Sequence, residues 1–217
     1  MPRRIQASSA LPLIPDHPTI PSLQRAAGDC RACDLWKLGT QTVFGDGARH
    51  ARVLFVGEQP GDKEDLTGKP FVGPAGALLD KALVAAGIDR REVYVTNAVK
   101  HFKWEPRGKR RIHKKPNSME IAACRPWLDA EIDVVKPEVV VCLGATAAQS
   151  LLGNSFKVTQ RRGELIRSEI APYIIATVHP SSILRAPDEE TRHREMERFI
   201  EDLKQVRKAL QQPRRAA

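Results

Sequence analysis

Short unbroken apolar runs alternate along this chain with segments whose apolar residues recur every three to four positions. Val53-Leu54-Phe55-Val56 ends at Gly57 and reads as a strand buried on both faces. Val93-Tyr94-Val95, Val139 to Leu143 and Tyr173 to Val178 have the same character. Between them, Leu78, Leu79, Ala82, Leu83 and Ala86 fall at helical spacing, with Pro74 before them and Gly87 just past their end. Asn117 and Glu120 form a capping pair for a helix to about Val135, and Ala145 to Leu152 reads as another. A short helix is predicted at Ser22 to Ala27, and a weak strand pair in residues 157–166. In the charged terminal helix, Met196, Phe199, Ile200, Leu203, Val206 and Leu210 form one apolar stripe.

Strands alternating with helices predict an α/β fold: a three-layer α/β/α sandwich with a central, mostly parallel sheet. Residues 22–211 should form a single domain, after a proline-rich extended tail at 1–21 and before a short tail at 212–217. Ligands of such sheets bind beyond the carboxyl ends of the strands, so the loops after Val56, Val95, Leu143 and Val178 are where chemistry is expected.

Composition narrows the setting. No apolar run in the 217 residues approaches the roughly 20 that a membrane span needs, and residues 1–21 hold five prolines and no apolar signal core, so a cytoplasmic protein is expected. The net charge is +9, and Lys100 to Lys115 supplies +7 of it, with eight Lys/Arg against Glu105. Charge gathered in this way suits a polyanion, with nucleic acid the leading partner and a merely solvated basic loop the plainer reading.

The loop from Gly57 to Gly76 fits neither the dinucleotide fingerprint nor the P-loop. Its glycines, Gly57 and Gly61 among them, allow close backbone approach to a ligand, while Glu58, Gln59 and Asp62 offer polar groups. Asn97 and His179 follow the second and last strands and so share this edge of the sheet. An amide beside an imidazole can read the edge of a heterocyclic base, and Phe71 can stack on its face. Cys30-x2-Cys33 and Cys124-x17-Cys142 make four thiolates, enough for a tetrahedral metal or cluster site, though spacing does not choose zinc over iron–sulfur. Cys124 and Cys142 also read as small buried hydrophobes.

Taken together, GEQPGDKEDLTGKPFVGPAG (57–76), TNAVKHFK (96–103), KRRIH (109–113), ACRPWL (123–128) and HPSS (179–182) resemble the uracil-DNA glycosylase superfamily, in its iron–sulfur branch, family 4. The resemblance runs from about Cys30 to the terminal helix. It implies a 4Fe–4S cluster held by Cys30, Cys33, Cys124 and Cys142, with a structural role. It also implies a pocket in which Phe71 stacks on uracil, Asn97 reads its edge and His179 donates near O2, with Gly57 and Gly61 lining the substrate. Lys109, Arg110, Arg111, Ser181 and Arg185 would contact DNA.

Two features depart from ordinary family 4 members: Gln59 stands where Ala is usual, and the KRRIH segment is an insertion. Both resemble a subgroup in which the histidine of that segment captures the sugar. This similarity implies that His113 attacks C1′ of the abasic site and stays bound, while Glu58, Gln59 and Asp62 organise the sugar, nucleophile or water. The partner implied is uracil-containing DNA, with the preference between single strand and duplex left open and free uracil as product; nothing in the sequence demands more than a monomer. The competing expectations are a family 4 glycosylase that uses water and turns over, and a non-catalytic iron–sulfur or zinc nucleic-acid-binding module.

Overall fold

The structure is a computed structural model that describes residues 9–212. A five-stranded sheet forms its centre, in the order β1 (Asp46–Gly47), β3 (Val93–Asn97), β2 (Val53–Gly57), β6 (Val139–Leu143), β7 (Tyr173–Thr177). All neighbours are parallel except the short β1 edge. Side chains along β2 alternate between two cores. Val53 and Phe55 pack with α3 (Pro74–Ala86) and α8 (Glu189–Leu210), while Leu54 and Val56 pack with α4 (Ser118–Val135) and α5 (Ala145–Leu152). Each fully buried Val, Leu or Phe here contributes about 1.5–3 kcal/mol, which explains why these strands read as unbroken apolar runs. This is the expected three-layer α/β fold. β2 lies between β3 and β6, so the chain reverses direction across the sheet there and opens a crevice at the strands' carboxyl ends.

Several local elements differ from expectation. The expected tail is partly docked: Ala10 is fully buried and its N–H donates to the Ala123 carbonyl at 2.9 Å. α1 begins at Ile20, earlier than predicted, because Thr19 and Ser22 form a capping box. Residues 1–8 of that tail, and 213–217 of the C-terminal one, lie outside the described residues. The glycine-rich loop is not structureless. It holds α2 (Asp62–Thr67), with three carboxylates in its first turn and Gly68 at φ 74° ending it.

The basic segment is a hairpin, β4 (Trp104–Arg107) and β5 (Arg110–His113), turned by Gly108 at φ 60°. It forms a sheet of its own. In place of a strand pair, residues 157–166 contain the turn of helix α6 (Val158–Arg161) and one antiparallel bridge from Ile166 to Ile174. HPSS opens a further short helix, α7 (Pro180–Leu184). A third apolar cluster joins the N-terminal segment to α4 through Leu23, Leu35, Phe44 and Trp127.

Candidate active site

A cleft of about 800 Å³ lies at the carboxyl ends of the strands, lined by Glu58, Gly61, His113, Thr146, His179 and Arg185 among others. A cleft of similar size, about 760 Å³, opens at the opposite end around Lys136 and Arg167, and none of the residues singled out above lines it.

Gly57, Asn97 and Phe71 are not among the residues lining this cleft; they lie beside it next to His179, with Gly57 paired in register with Asn97. A Cβ on Gly57 would lie 2.3 Å from Asn97 Oδ1 and 2.9 Å from the Phe71 ring, so only glycine lets both side chains cross this point. Asn97 is 3% exposed, and its side-chain amide has no hydrogen-bond partner among the described residues. The amide is not fully enclosed, so it keeps access to a partner from outside the protein. Phe71 has φ 57°, and its carbonyl would meet a Cβ on Gly76 at 1.6 Å, so Gly76 is what allows the turn that aims the ring. The ring lies 6.2 Å from that of His179, 29° from parallel.

His179 caps α7 and accepts the Ser181 backbone N–H at Nδ1, 3.1 Å. With Nδ1 accepting, the proton of the neutral ring is on Nε2, which is therefore a donor. Burial pushes the imidazole down to about 4, helped by the charges of Arg185 and His113. Ser181 thus orients His179. Arg185 is exposed at the rim of the cleft.

At the hairpin's end, His113 Nε2 lies 3.4 Å from Glu58 Oε1. Burial lowers the His113 pKa and Arg185 lowers it further, against the raising effect of Glu58. Glu58 in turn accepts from the Thr146 hydroxyl of α5, a contact that spans the crevice between β2 and β6.

Gln59 and Arg111 have roles other than those the sequence suggested. Gln59 is buried: Nε2 donates to the carbonyls of Lys103 and Lys114, and Oε1 accepts from the Lys103 N–H, each at 3.1 Å. It clamps both legs of the hairpin root and has no amide group left for substrate. Arg111 turns inward, away from the DNA contact expected of it. Its guanidinium donates to Asp62 and to the fully buried Asp65, each at 2.6 Å, and stacks over Phe102 and Trp104. Asp62 is therefore a hairpin anchor. Lys109 and Arg110 are exposed at the hairpin tip.

Beneath Asn97, the buried ammonium of Lys100 donates to the Asn97 carbonyl at 2.7 Å and pairs with buried Glu131. Sequence reading passed over both residues, since a Lys in a basic segment and a Glu on a charged helix look like surface groups.

Three of the four cysteines share one region. Cys30 Sγ accepts from the Trp127 indole and Cys124 Sγ from the Lys100 backbone N–H, both at 3.3 Å, and Cys33 packs against the same apolar cluster. The thiols of Cys30 and Cys33 lie close enough to raise the pKa of Cys124, which burial pushes up to about 12. N–H groups aimed at sulfur favour thiolate ligands. Cys142 is elsewhere: it sits in β6, within the core formed by Leu54, Val56 and Ala176, where Arg125 is the one charge acting on its thiol. Among the described residues, no three His, Cys, Asp or Glu side chains converge on a metal site.

Residues 44–204 match the family model for the uracil DNA glycosylase superfamily. The chain is 42% identical over 164 residues to the type-4 uracil-DNA glycosylase of Thermotoga maritima, covering 75% of this chain and 82% of that one. It is 34% identical over 198 residues to the type-4 enzyme of Sulfurisphaera tokodaii, with 86% and 82% covered. With that of Archaeoglobus fulgidus it shares 36% identity over 176 residues, with 78% and 85% covered.

Proposed function

The chain belongs to the uracil DNA glycosylase superfamily, and from that premise we propose that it excises uracil from DNA and then holds the abasic sugar covalently through His113, as UdgX-type proteins do. The observation that carries the excision reading is the buried Asn97 amide, without a protein partner, beside the Phe71 ring. Uracil offers an acceptor at O4 and a donor at N3, which one fixed amide satisfies. Cytosine reverses both and would leave unpaired buried groups at about 1–3 kcal/mol each. The base must be flipped out, or come from a single strand, to reach them.

Phe71 stacks on the base and the His179 Nε2–H donates to O2, where charge gathers as the C1′–N1 bond breaks. The sugar becomes cationic at C1′, and the Glu58 carboxylate stabilises it. The lone pair of neutral His113 then forms the N–C1′ bond, the imidazolium releases its other ring proton to solvent, and the uracil anion takes up a proton. An N-glycosyl imidazole has a poor leaving group, so the adduct persists and each molecule turns over once. Lys109, Arg110 and Arg185 meet phosphates.

The chain would carry a 4Fe–4S cluster with Cys30, Cys33 and Cys124 among its ligands, and the N–H groups on the Cys30 and Cys124 sulfurs suit thiolates. Its part is to hold the N-terminal segment and α4 against the Asn97 turn.

The test mixes a labelled uracil-containing single strand with wild type and His113→Ser, and runs a denaturing gel beside a thymine control. A shifted band that survives heat and detergent, seen only with uracil and lost in the variant, is expected. Alkali-sensitive abasic product with no shifted band in wild type would instead establish a glycosylase that uses water. No product from either protein would leave a DNA-binding module.

A further inference from the structure

We propose that Lys100 is a positioning residue for base recognition: its buried ammonium, held by Glu131, fixes the Asn97 peptide and through it the aim of the Asn97 side-chain amide. This rests on the reading that the amide meets uracil. No group among the described residues bonds the amide, so its direction is inherited from the backbone that carries it. That backbone is pinned at both ends of one peptide unit. The Ala98 N–H donates to the Gly57 carbonyl at 2.9 Å, and the Asn97 carbonyl accepts from Lys100 Nζ at 2.7 Å.

The ion pair behind this bond has no spare group. The three ammonium protons of Lys100 meet Thr96 Oγ1 at 2.7 Å, the Asn97 carbonyl and the Glu131 carboxylate. Glu131 also accepts from the Gly45 N–H at 3.0 Å, and from the Tyr94 and Thr96 hydroxyls, each at 2.9 Å. Thr96 thus gives its one proton to Glu131 and receives Lys100 on its oxygen.

Lys100 is 1% exposed and Glu131 fully buried. Such a pair adds little net stability, because withdrawing two charges from water offsets their attraction. What it supplies here is direction. The Asn97 carbonyl cannot turn without breaking a buried charge-assisted bond. The corner also has little slack, since a Cβ on Gly57 would lie 2.3 Å from Asn97 Oδ1. Misplacing a substrate-contacting group by about 1 Å costs about 100-fold in rate.

The test follows single-turnover release of labelled uracil from a single strand by the full, iron-loaded chain, beside affinity for the same strand carrying thymine. Lys100→Met/Glu131→Gln removes both charges together, and its new amide oxygen can still accept from Gly45 and Tyr94. Release should slow about 100-fold, with iron content, melting temperature and thymine-strand affinity close to wild type. Asn97→Ala should slow release at least as much. Adding Lys100→Met/Glu131→Gln to Asn97→Ala should then change the rate by less than about twofold, since the pair acts through that amide. Glu131→Gln alone keeps an amine on the Asn97 carbonyl, so its melting temperature should fall while release stays near the wild-type rate.

Undiminished release by Lys100→Met/Glu131→Gln, or a further large loss when it is added to Asn97→Ala, would overturn the positioning role and leave the pair a structural one. Should that variant not fold, Glu131→Gln decides, because loss of release from a folded, iron-loaded Glu131→Gln overturns the role equally. Undiminished release by Asn97→Ala would overturn the reading of that amide as the base contact, and the positioning role with it. A wild type that releases no uracil would overturn the excision reading itself.

Discussion

His113 Nε2 stands 3.4 Å from Glu58 Oε1, while Thr146 of the facing helix bonds the other Glu58 oxygen. The carboxylate is therefore fixed from one side by Thr146, and on the other it faces the ring of the residue proposed as nucleophile. Glu58→Gln keeps the shape and removes the charge that stabilises the C1′ cation. Capture should slow about 100-fold, the scale of a well-placed charged or acid–base group. Thr146→Val, which costs one hydrogen bond of about 1 kcal/mol, should slow it only about fivefold. Single-turnover gel kinetics separate the two, and equal effects would count against the charge as the cause.

Capture needs an unprotonated imidazole at position 113. Burial and the charge of Arg185 lower its pKa below the ordinary value, so the ring is neutral at pH 7 and above. Capture should be level from neutral to mildly alkaline pH and fall with acid, below about pH 6.5. His179, held down to about 4, stays neutral further into acid. Uracil release by the His113→Ser variant should accordingly persist to lower pH than capture by wild type. A capture rate that rises on acidification would show that the charged ring is the active form.

Arg111 and its neighbours should separate by salt dependence. Arg111→Ala leaves fully buried Asp65 without its cation, at a cost of about 3 kcal/mol. This should lower the melting temperature by roughly 6–12 °C at about 2–4 °C per kcal/mol, while the salt slope of DNA binding stays as in wild type. Lys109→Ala and Arg110→Ala should do the reverse: unchanged melting, and a slope reduced by about 0.7 each on single strands. A reduced slope in Arg111→Ala would return that residue to the DNA surface.

Gly57→Ala probes the pocket without removing a polar group. The added methyl would press on Asn97 Oδ1 and the Phe71 ring. Uracil release and capture should both fall by more than about 100-fold, with far-ultraviolet circular dichroism and iron content retained. Normal release by this variant would mean that the base does not lie across Gly57.

Much of this was legible in the sequence because the responsible forces are local. The apolar runs of β2, β3, β6 and β7, the Asn117–Glu120 cap and the proline and glycine around α3 each carry their own signal. The same patterning put Asn97, His179 and the Gly57 loop at one edge. The missed features depend on partners far along the chain. Gln59 resembles a substrate-facing amide until Lys103 and Lys114 are seen to use it, and Arg111 resembles its exposed neighbours until Asp65 appears beneath it. α2 was hidden because its flanking glycines look like loop, when they are its two ends.

The hairpin that carries His113 pairs with no strand of the central sheet and is fastened through Gln59 and Arg111. The residues proposed to read the base, Asn97, Phe71 and His179, lie outside it. On the proposed mechanism, base recognition and retention of the sugar rest on separately fastened parts, so an engineer can trim the hairpin, or graft it with a glutamine and two aspartates to receive it, without rebuilding the pocket.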